Sequence, residues 1–438
     1  MILPYRNISY FCFLSKSPNM LNNKMLTSLK RLLIRSLLLV IISTIYLPSF
    51  SQANGKIISK KNNLMVVKVW GTHQERGFAQ GFLLGDKITD VFRNYVQPQL
   101  SKAYPIARNL VKTEKQFYYD YKYIIEAKAV ILGMNKANTN ALNLDYIDIL
   151  LANSMLDLSN IMSGQNHTHC SSLMSWGDAT KDTDLEGKSV ISRHLDWKLY
   201  PSLLRNQIMI IHIPSEVDEQ PWAGIGFAGM ISVLSGFNVN MGVFQHMMED
   251  EKSHASFEKQ YEPIWFSLRK SIEMKDNNMD GKNNLLDVYC SLNIWRQGFG
   301  GNYIISALGR STEKEDSLIA MVAELSSSKP YLVYRSNAFE DSIPGDNLYT
   351  ANYQIARNNA MNFSKRYKGI ISHIGDGTAI SLEKNRSLMR DYSHLSINYQ
   401  FMTYCPEKDL FRISIRNKKA AYKNKPMDFK ISTLLKNE

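Results

Sequence analysis

The stretch NHTHCSSLMSWGDAT (residues 166–180) sets one cysteine, Cys170, after two histidines and before two serines. Three kinds of chemistry compete for it. Cys170 can be a small buried hydrophobe. It can be a metal ligand, because His167, His169 and Cys170 are zinc-binding types; but a structural zinc wants four ligands, and no second clustered pair lies near by in the sequence. Or it can be a nucleophile. A thiol with an unperturbed pKa of ~8.5 is mostly protonated at neutral pH, so it needs a neighbouring cation or base. A cysteine serves as its own base only if the chain is cut immediately before it. A cut at His169–Cys170 would free the α-amino group of Cys170, whose reference pKa of ~7.7–8.0 suits proton transfer near neutrality.

The residues that follow supply partners. SSLMSW is strand-like, GDATKDTDLEG is a polar, turn-rich loop, and KSVISR is a second strand-like run that leads on to His194-Leu195-Asp196-Trp197. Such a hairpin returns Arg193 and Asp196 to the neighbourhood of Cys170. A guanidinium there favours the thiolate, and a carboxylate can hold a new ammonium in place. The two residues are three apart, so a regular strand points them to opposite faces; both reach the thiol only if the strand bulges or ends.

The elements that carry this hairpin change character at Cys170. Before it, NNLMVVKVW reads as a strand and the residues after Gly71 as a helix. Residues 114–137 and 144–161 have apolar positions at helical spacing. After it, QIMIIHI, GVFQH, YIISAL, LIAMVAEL, PYLVYR, NYQFMTY and LFRISI join the two runs of the hairpin as short β-branched or alternating segments, with a helical pattern at residues 262–274. Strands segregated from helices predict an α+β fold rather than alternating βαβ units.

The N-terminus reads as a leader. Lys24, Lys30, Arg31 and Arg35 precede the apolar run SLLLVIISTIYLPSF, and Ser51-Gln52-Ala53 is a small-x-small cleavage pattern. These are the marks of a secretory signal over residues 1–53; its apolar run is short for a spanning helix of ~20 apolar residues, and an uncleaved anchor is the alternative. Met25 would be a more ordinary start than Met1, and on that alternative residues 1–24 would be a start-site artefact. The expected product is exported, periplasmic or extracellular, with no stable membrane insertion once the signal is removed. Removing residues 1–53 leaves 46 Lys and Arg against 40 Asp and Glu, a net charge of +6 with no concentrated basic stripe. That excludes nucleic acid as an expected partner. Of four cysteines, Cys12 falls in the leader; Cys290 and Cys405 can pair or can be two buried thiols.

Two further motifs carry chemistry. DNNMDGKNNLLD (residues 276–287) has oxygen-bearing side chains at positions 1, 3, 5, 9 and 12 and Gly281 at position 6, like an EF-hand calcium loop. Asn283 at the usual apolar position and Asp287 in place of Glu favour a solvated polar loop, so no metal and no cofactor are expected. Asn166-His167-Thr168 fits a glycosylation sequon.

Five stretches in order resemble one family. These are WGTHQERGFAQG (70–81), HCSSLMSWGDAT, SVISRHLDW, TANYQ (350–354) and SKRY (364–367). Together they resemble the C45 group of N-terminal-nucleophile hydrolases, which includes isopenicillin-N acyltransferase. The resemblance spans nearly all of the chain after the leader. It implies a four-layer αββα sandwich and self-cleavage between His169 and Cys170. The products would be a helical piece, 54–169, and a strand-rich piece, 170–438, that stay associated as each other's partners. It implies Cys170 as nucleophile, Arg193 and Asp196 as the pair that orients it, and Asn352 as an oxyanion donor. Arg366 would brace the site, and Asn238 and His246 would line the substrate pocket. His194 stands where the family commonly has asparagine, and Gln245 and His246 where another is frequent, which leaves part of the oxyanion hole open. The implied activity is hydrolysis or transfer of an acyl group from a small or lipid-like amide through a thioester. A ceramidase- or phospholipase B-like lipid hydrolase, or a binding protein with a decayed site, are the alternatives.

Overall fold

A computed structural model of the chain describes residues 53–162, 168–247, 259–296, 303–311, 318–327, 329–339, 343–357 and 365–436. The expected leader, apart from Ala53, lies outside them, as do His167 and Ser364. The fold is α+β, and residues on both sides of Cys170 belong to one compact unit, Ala53–Glu438. No helix among the described residues is long and apolar enough to cross a membrane.

Strands β1 (Gly55–Lys61) and β2 (Leu64–Gly71) form a hairpin that leads into helix α1 (His73–Val91). Thr72 starts α1 with a capping box: its hydroxyl accepts the Glu75 N–H, and the Glu75 carboxylate accepts the Thr72 N–H. Then come α2 (Tyr104–Thr113), α3 (Tyr121–Lys136), α4 (Tyr146–Ala152) and α5 (Met155–Met162). Strands β3 (Thr168–Ser175), β4 (Val190–Trp197), β5 (Gln207–Pro214), β6 (Trp222–Phe227), β7 (Ser235–Phe237) and β8 (Gly242–Met247) precede α6 (Ile264–Glu273) and α7 (Leu285–Ile294). They are followed by β9 (Tyr303–Leu308), β10 (Ala320–Leu325), β11 (Leu332–Ser336) and β12 (Asn347–Thr350). The chain closes with α8 (Lys365–Ile374), α9 (Leu382–Tyr392), β13 (Asn398–Cys405), β14 (Leu410–Ile415) and β15 (Met427–Lys430).

Among the described residues the strands make a nine-stranded sheet, β1-β2-β5-β6-β7-β8-β9-β10-β11, and a six-stranded sheet, β12-β3-β4-β13-β14-β15. Only the β2–β5 pair in them is parallel. Strand alternation distributes the apolar side chains between two faces of each sheet. Leu64, Val66, Met209 and Ile211 of the larger sheet pack with Met174, Ile191, Met402 and Tyr404 of the smaller one, which makes a core between the sheets. The intervening Met65, Val67, Ile208 and Ile210 pack instead with helical residues such as Leu84, Ile88, Tyr123 and Val130. On the outer face of the smaller sheet, Leu173, Tyr349 and Phe401 meet Ile370, Ile374 and Met389 of α8 and α9.

Close approach of α1 and α3 explains the glycine spacing in RGFAQGFLLG. A Cβ on Gly81 would overlap the Val130 carbonyl, and one on Gly133 would overlap the Phe78 carbonyl. The two backbones therefore touch directly, which only glycine allows.

Candidate active site

Strand register places the hairpin residues. In the β3–β4 ladder Cys170 is opposite Leu195, Ser172 opposite Arg193, and His169 opposite Asp196. Directly opposed residues share a face. Ser172 Oγ lies 3.0 Å from His246 Nε2 of β8 and 3.1 Å from Ser306 Oγ of β9, so its face looks toward the larger sheet. Cys170, Arg193 and Leu195 are on that face. Ser171, His194 and Asp196 are on the other, where Ser171 meets Ser393, and His194 donates from Nε2 to the Met389 carbonyl at 3.1 Å.

Each polar part of Cys170 has its own partner. Arg193 Nη2 reaches diagonally across the ladder to Sγ at 3.4 Å and also donates to the Gln245 carbonyl at 2.9 Å. The main-chain N–H of Cys170 donates to Asn352 Oδ1 at 3.3 Å. Arg366 Nη1 donates to the Cys170 carbonyl at 3.3 Å, while its Nη2 donates to Asn352 Oδ1 at 2.6 Å. The register slips between Asn398 and Gln400, opposite Asp196 and Leu195. Even with that bulge, Asp196 stays on the far face: it accepts from Asn398 Nδ2 at 2.8 Å and lies 3.8 Å from Arg366. Arg193 therefore touches the thiol, while the Asp196 carboxylate contacts Arg366 and Asn398. Asn352, expected as an oxyanion donor, turns its oxygen to the nitrogen that a cut would free.

The electrostatics differ from the expectation of a ready thiolate. Burial pushes the Cys170 thiol up; Arg193 pulls it down, and the Asp196 carboxylate adds to the upward push. Burial also raises Asp196 to about 7 against the opposing pull of Arg366, Asn398 and Arg193. His194 is lowered to about 3 by burial and is neutral, stacked on Phe401 with ring centres 4.2 Å apart. His246 is held well below its ordinary value by burial and then by Arg193 and Arg366, so it too is neutral. Its Nε2 meets Ser172 and Ser306, while its buried Nδ1 has no hydrogen-bond partner among the described residues. His246 thus sits across the inter-sheet space from Cys170. Nothing in the sequence marked Ser172 and Ser306 as its partners.

An apolar pocket opens on the same face of β4. Trp197, two residues beyond Leu195, lines it with Met155, Phe227, Met230 and Trp265, and the space is ≈ 420 Å³ counting its open mouth. Trp265 Nε1 donates to Gln245 Oε1 at 3.3 Å, which ties the pocket wall to the residue whose carbonyl holds Arg193.

Asn238 is not brought to Cys170. It sits at the turn between β7 and β8, at the far end of β8 from His246. It donates to the Ile272 carbonyl at 3.0 Å and Asn283 Oδ1 at 2.9 Å, and accepts the N–H groups of Asn240 and Met241. These contacts lock the β7–β8 turn. Residues 276–287 satisfy themselves as well. Asp276 accepts the N–H groups of Asp280 and Gly281, and Asp287 accepts those of Asn277 and Asn278 and closes the N-terminal capping box of α7. Cys290 and Cys405 are unpaired thiols, and burial raises Cys405 to about 12.

His73, Glu216 and Glu219 are the one group among the described residues whose ligand atoms gather closely enough for a metal ion. Protein cations already fill that role. Arg76 Nη2 lies 3.1 Å from Glu216 and 2.8 Å from Glu219. His73 is gripped by Glu126 at 2.6 Å and Glu219 at 2.7 Å. Arg269 pairs with Glu126 and Glu273, and Lys122 with Glu219 and Glu273. Burial pushes the His73 pKa down, but these carboxylates outweigh it and the net shift is upward. The cluster joins α1 and α3, which precede Cys170, to the β5–β6 connection and α6, which follow it.

No family model and no curated protein matches the chain.

Proposed function

We propose that the protein is a self-processing cysteine hydrolase of the N-terminal-nucleophile class, with the αββα sandwich of that class, acting on carbon–nitrogen amide bonds. The observation that carries this is the separate holding of Cys170: the sulfur by Arg193, the nitrogen by Asn352 and the carbonyl by Arg366. Any buried residue needs partners for its main-chain N–H and carbonyl, but a core cysteine needs no guanidinium at its sulfur, and here both main-chain partners are side chains that also contact each other. In maturation, Cys170 Sγ attacks the His169 carbonyl carbon. The S–C bond forms, the C–N bond breaks, and the thiol proton passes to the departing nitrogen. Water then hydrolyses the thioester, leaving a His169 carboxylate and a free Cys170 α-amine.

In turnover that amine takes the thiol proton. The sulfur attacks the substrate carbonyl, the leaving amine takes the proton back, and water or a second amine releases the acyl group. Arg193 favours the anionic sulfur. The Trp197–Trp265 pocket on the thiol's face supports an apolar acyl group, and the expected export of the chain supports water as acceptor.

Intact-mass measurement tests this reading. Wild-type protein is expected as two fragments, the second beginning at Cys170, and Cys170→Ala as one. A single intact wild-type chain with an unreactive thiol would sink it and leave a binding protein of this fold.

A further inference from the structure

Glu324 of β10 and Arg335 of β11 form an ion pair of 3.1 Å with both side chains fully buried. A buried pair seldom adds net stability over apolar side chains of similar volume, so what it holds locally decides its role. Glu324 Oε1 also accepts the main-chain N–H groups of Ile355 at 2.9 Å and Ala356 at 3.3 Å. Arg335 Nη2 donates to the Tyr349 carbonyl at 3.1 Å. Beside them, Gln354 Nε2 donates to the Leu325 carbonyl at 2.7 Å. The far edge of the nine-stranded sheet thus grips the chain on both sides of Asn352, three residues before it and two to four after it. Asn352 stands just beyond the end of β12, an edge strand, so the six-stranded sheet alone does not fix its height above Cys170.

We propose that Glu324 and Arg335 are a positioning pair that sets the main chain of residues 349–356 so that Asn352 Oδ1 meets the nitrogen of Cys170. Arg366 orients the Asn352 side chain; the Glu324–Arg335 pair orients the backbone that carries it. The catalytic part of this inference rests on the proposed self-cleavage. The positional part does not, because the Cys170 N–H bond to Asn352 exists in the uncut chain.

The test uses the full chain with the pair replaced together, Glu324→Leu/Arg335→Met, which removes the charges without leaving one buried alone. Hydrogen exchange at the position-170 amide is read in the uncleavable Cys170→Ala background, and the cleavage rate in the background that keeps Cys170. The expected result is a denaturation midpoint close to wild type, amide exchange faster by roughly tenfold or more, and cleavage slowed by about 10²-fold. Adding Asn352→Ala to the double variant is expected to slow cleavage no further, although Asn352→Ala alone slows it. Unchanged exchange at position 170, or a full additive effect of Asn352→Ala, overturns the positioning pair. Absence of cleavage in wild type overturns the proposed function, and exchange then still decides the positional claim.

Discussion

Arg193 Nη2 lies 3.4 Å from Cys170 Sγ, along the diagonal of an antiparallel ladder in which neither residue faces the other directly. Two further guanidinium nitrogens, Nε and Nη1, have no hydrogen-bond partner among the described residues. A buried cation beside a thiol opposes the upward push of burial and favours the anionic form of that sulfur. Arg193→Met keeps most of the volume and removes the charge. The rate of Cys170 alkylation near pH 8 is expected to fall about tenfold, the effect of one unit in thiol pKa. An unchanged rate would show that burial alone sets the thiol.

Asp196 predicts a pH profile. Its pKa of about 7 lies above the ordinary 3.8, so the folded protein holds this proton more tightly than the unfolded chain. The associated stability is fully present below about pH 4 and is lost as the pH rises to about 7. Wild type is expected to lose ~2–4 kcal/mol relative to Asp196→Asn over that range, measured by urea denaturation at several pH values. Self-cleavage is expected to show an inflection near pH 7 that Asp196→Asn abolishes. A profile with the same inflection in both proteins would assign it elsewhere.

His73 predicts the opposite end of the scale. Its pKa is raised, so its contribution is complete below about 6.5 and declines as the pH climbs through the higher folded value. His73→Gln is expected to cost about 3–5 kcal/mol at pH 6, because Glu126 and Glu219 lose the charge between them. The deficit is expected to narrow above neutrality. A pH-independent deficit would mean that His73 is neutral in the folded protein.

The glycine contact between α1 and α3 predicts a stability contrast. Gly81→Ala drives a methyl into the Val130 backbone and is expected to destabilise by ~3 kcal/mol or more. Gly281→Ala meets nothing within 4 Å and pays only for its positive φ of 81°, about 1 kcal/mol. Thermal denaturation of the two variants side by side checks the ranking.

Local patterns were legible and long-range pairs were not. All nine of the short runs read as strands from Cys170 onward are strands, because alternation and β-branching are local properties. WAGIGF escaped notice, since two glycines dilute the pattern of β6, and four-residue β12 is too short to show one. The helix expected over residues 144–161 breaks at Asn153. There the side-chain oxygen accepts the N–H groups of Ile231 and Ser232, a demand from a distant loop. Cys170, Arg193, Asn352 and Arg366 do meet, and the hairpin geometry could anticipate only the first two. The facing of Arg193 and Asp196 to opposite sides followed from a spacing of three, and the bulge did not undo it. Glu324 and Arg335 left a faint trace, single charges inside apolar strands, but nothing in either run names the other as its counter-ion.

Strand β2 lies parallel to β5, and everything from β1 to α5 is contributed by residues before Cys170. A parallel pair depends on a long covalent crossover to bring its strands together. A cut before Cys170 would delete that tether while leaving the sheet intact. The mature molecule would then keep a memory of a connection it no longer has. Taken apart, its halves would meet again only at their dilute bulk concentration rather than at the high effective concentration of one chain. Folding would come first and cutting second, in that order only, and the working lifetime of the protein would be set by how slowly it unfolds.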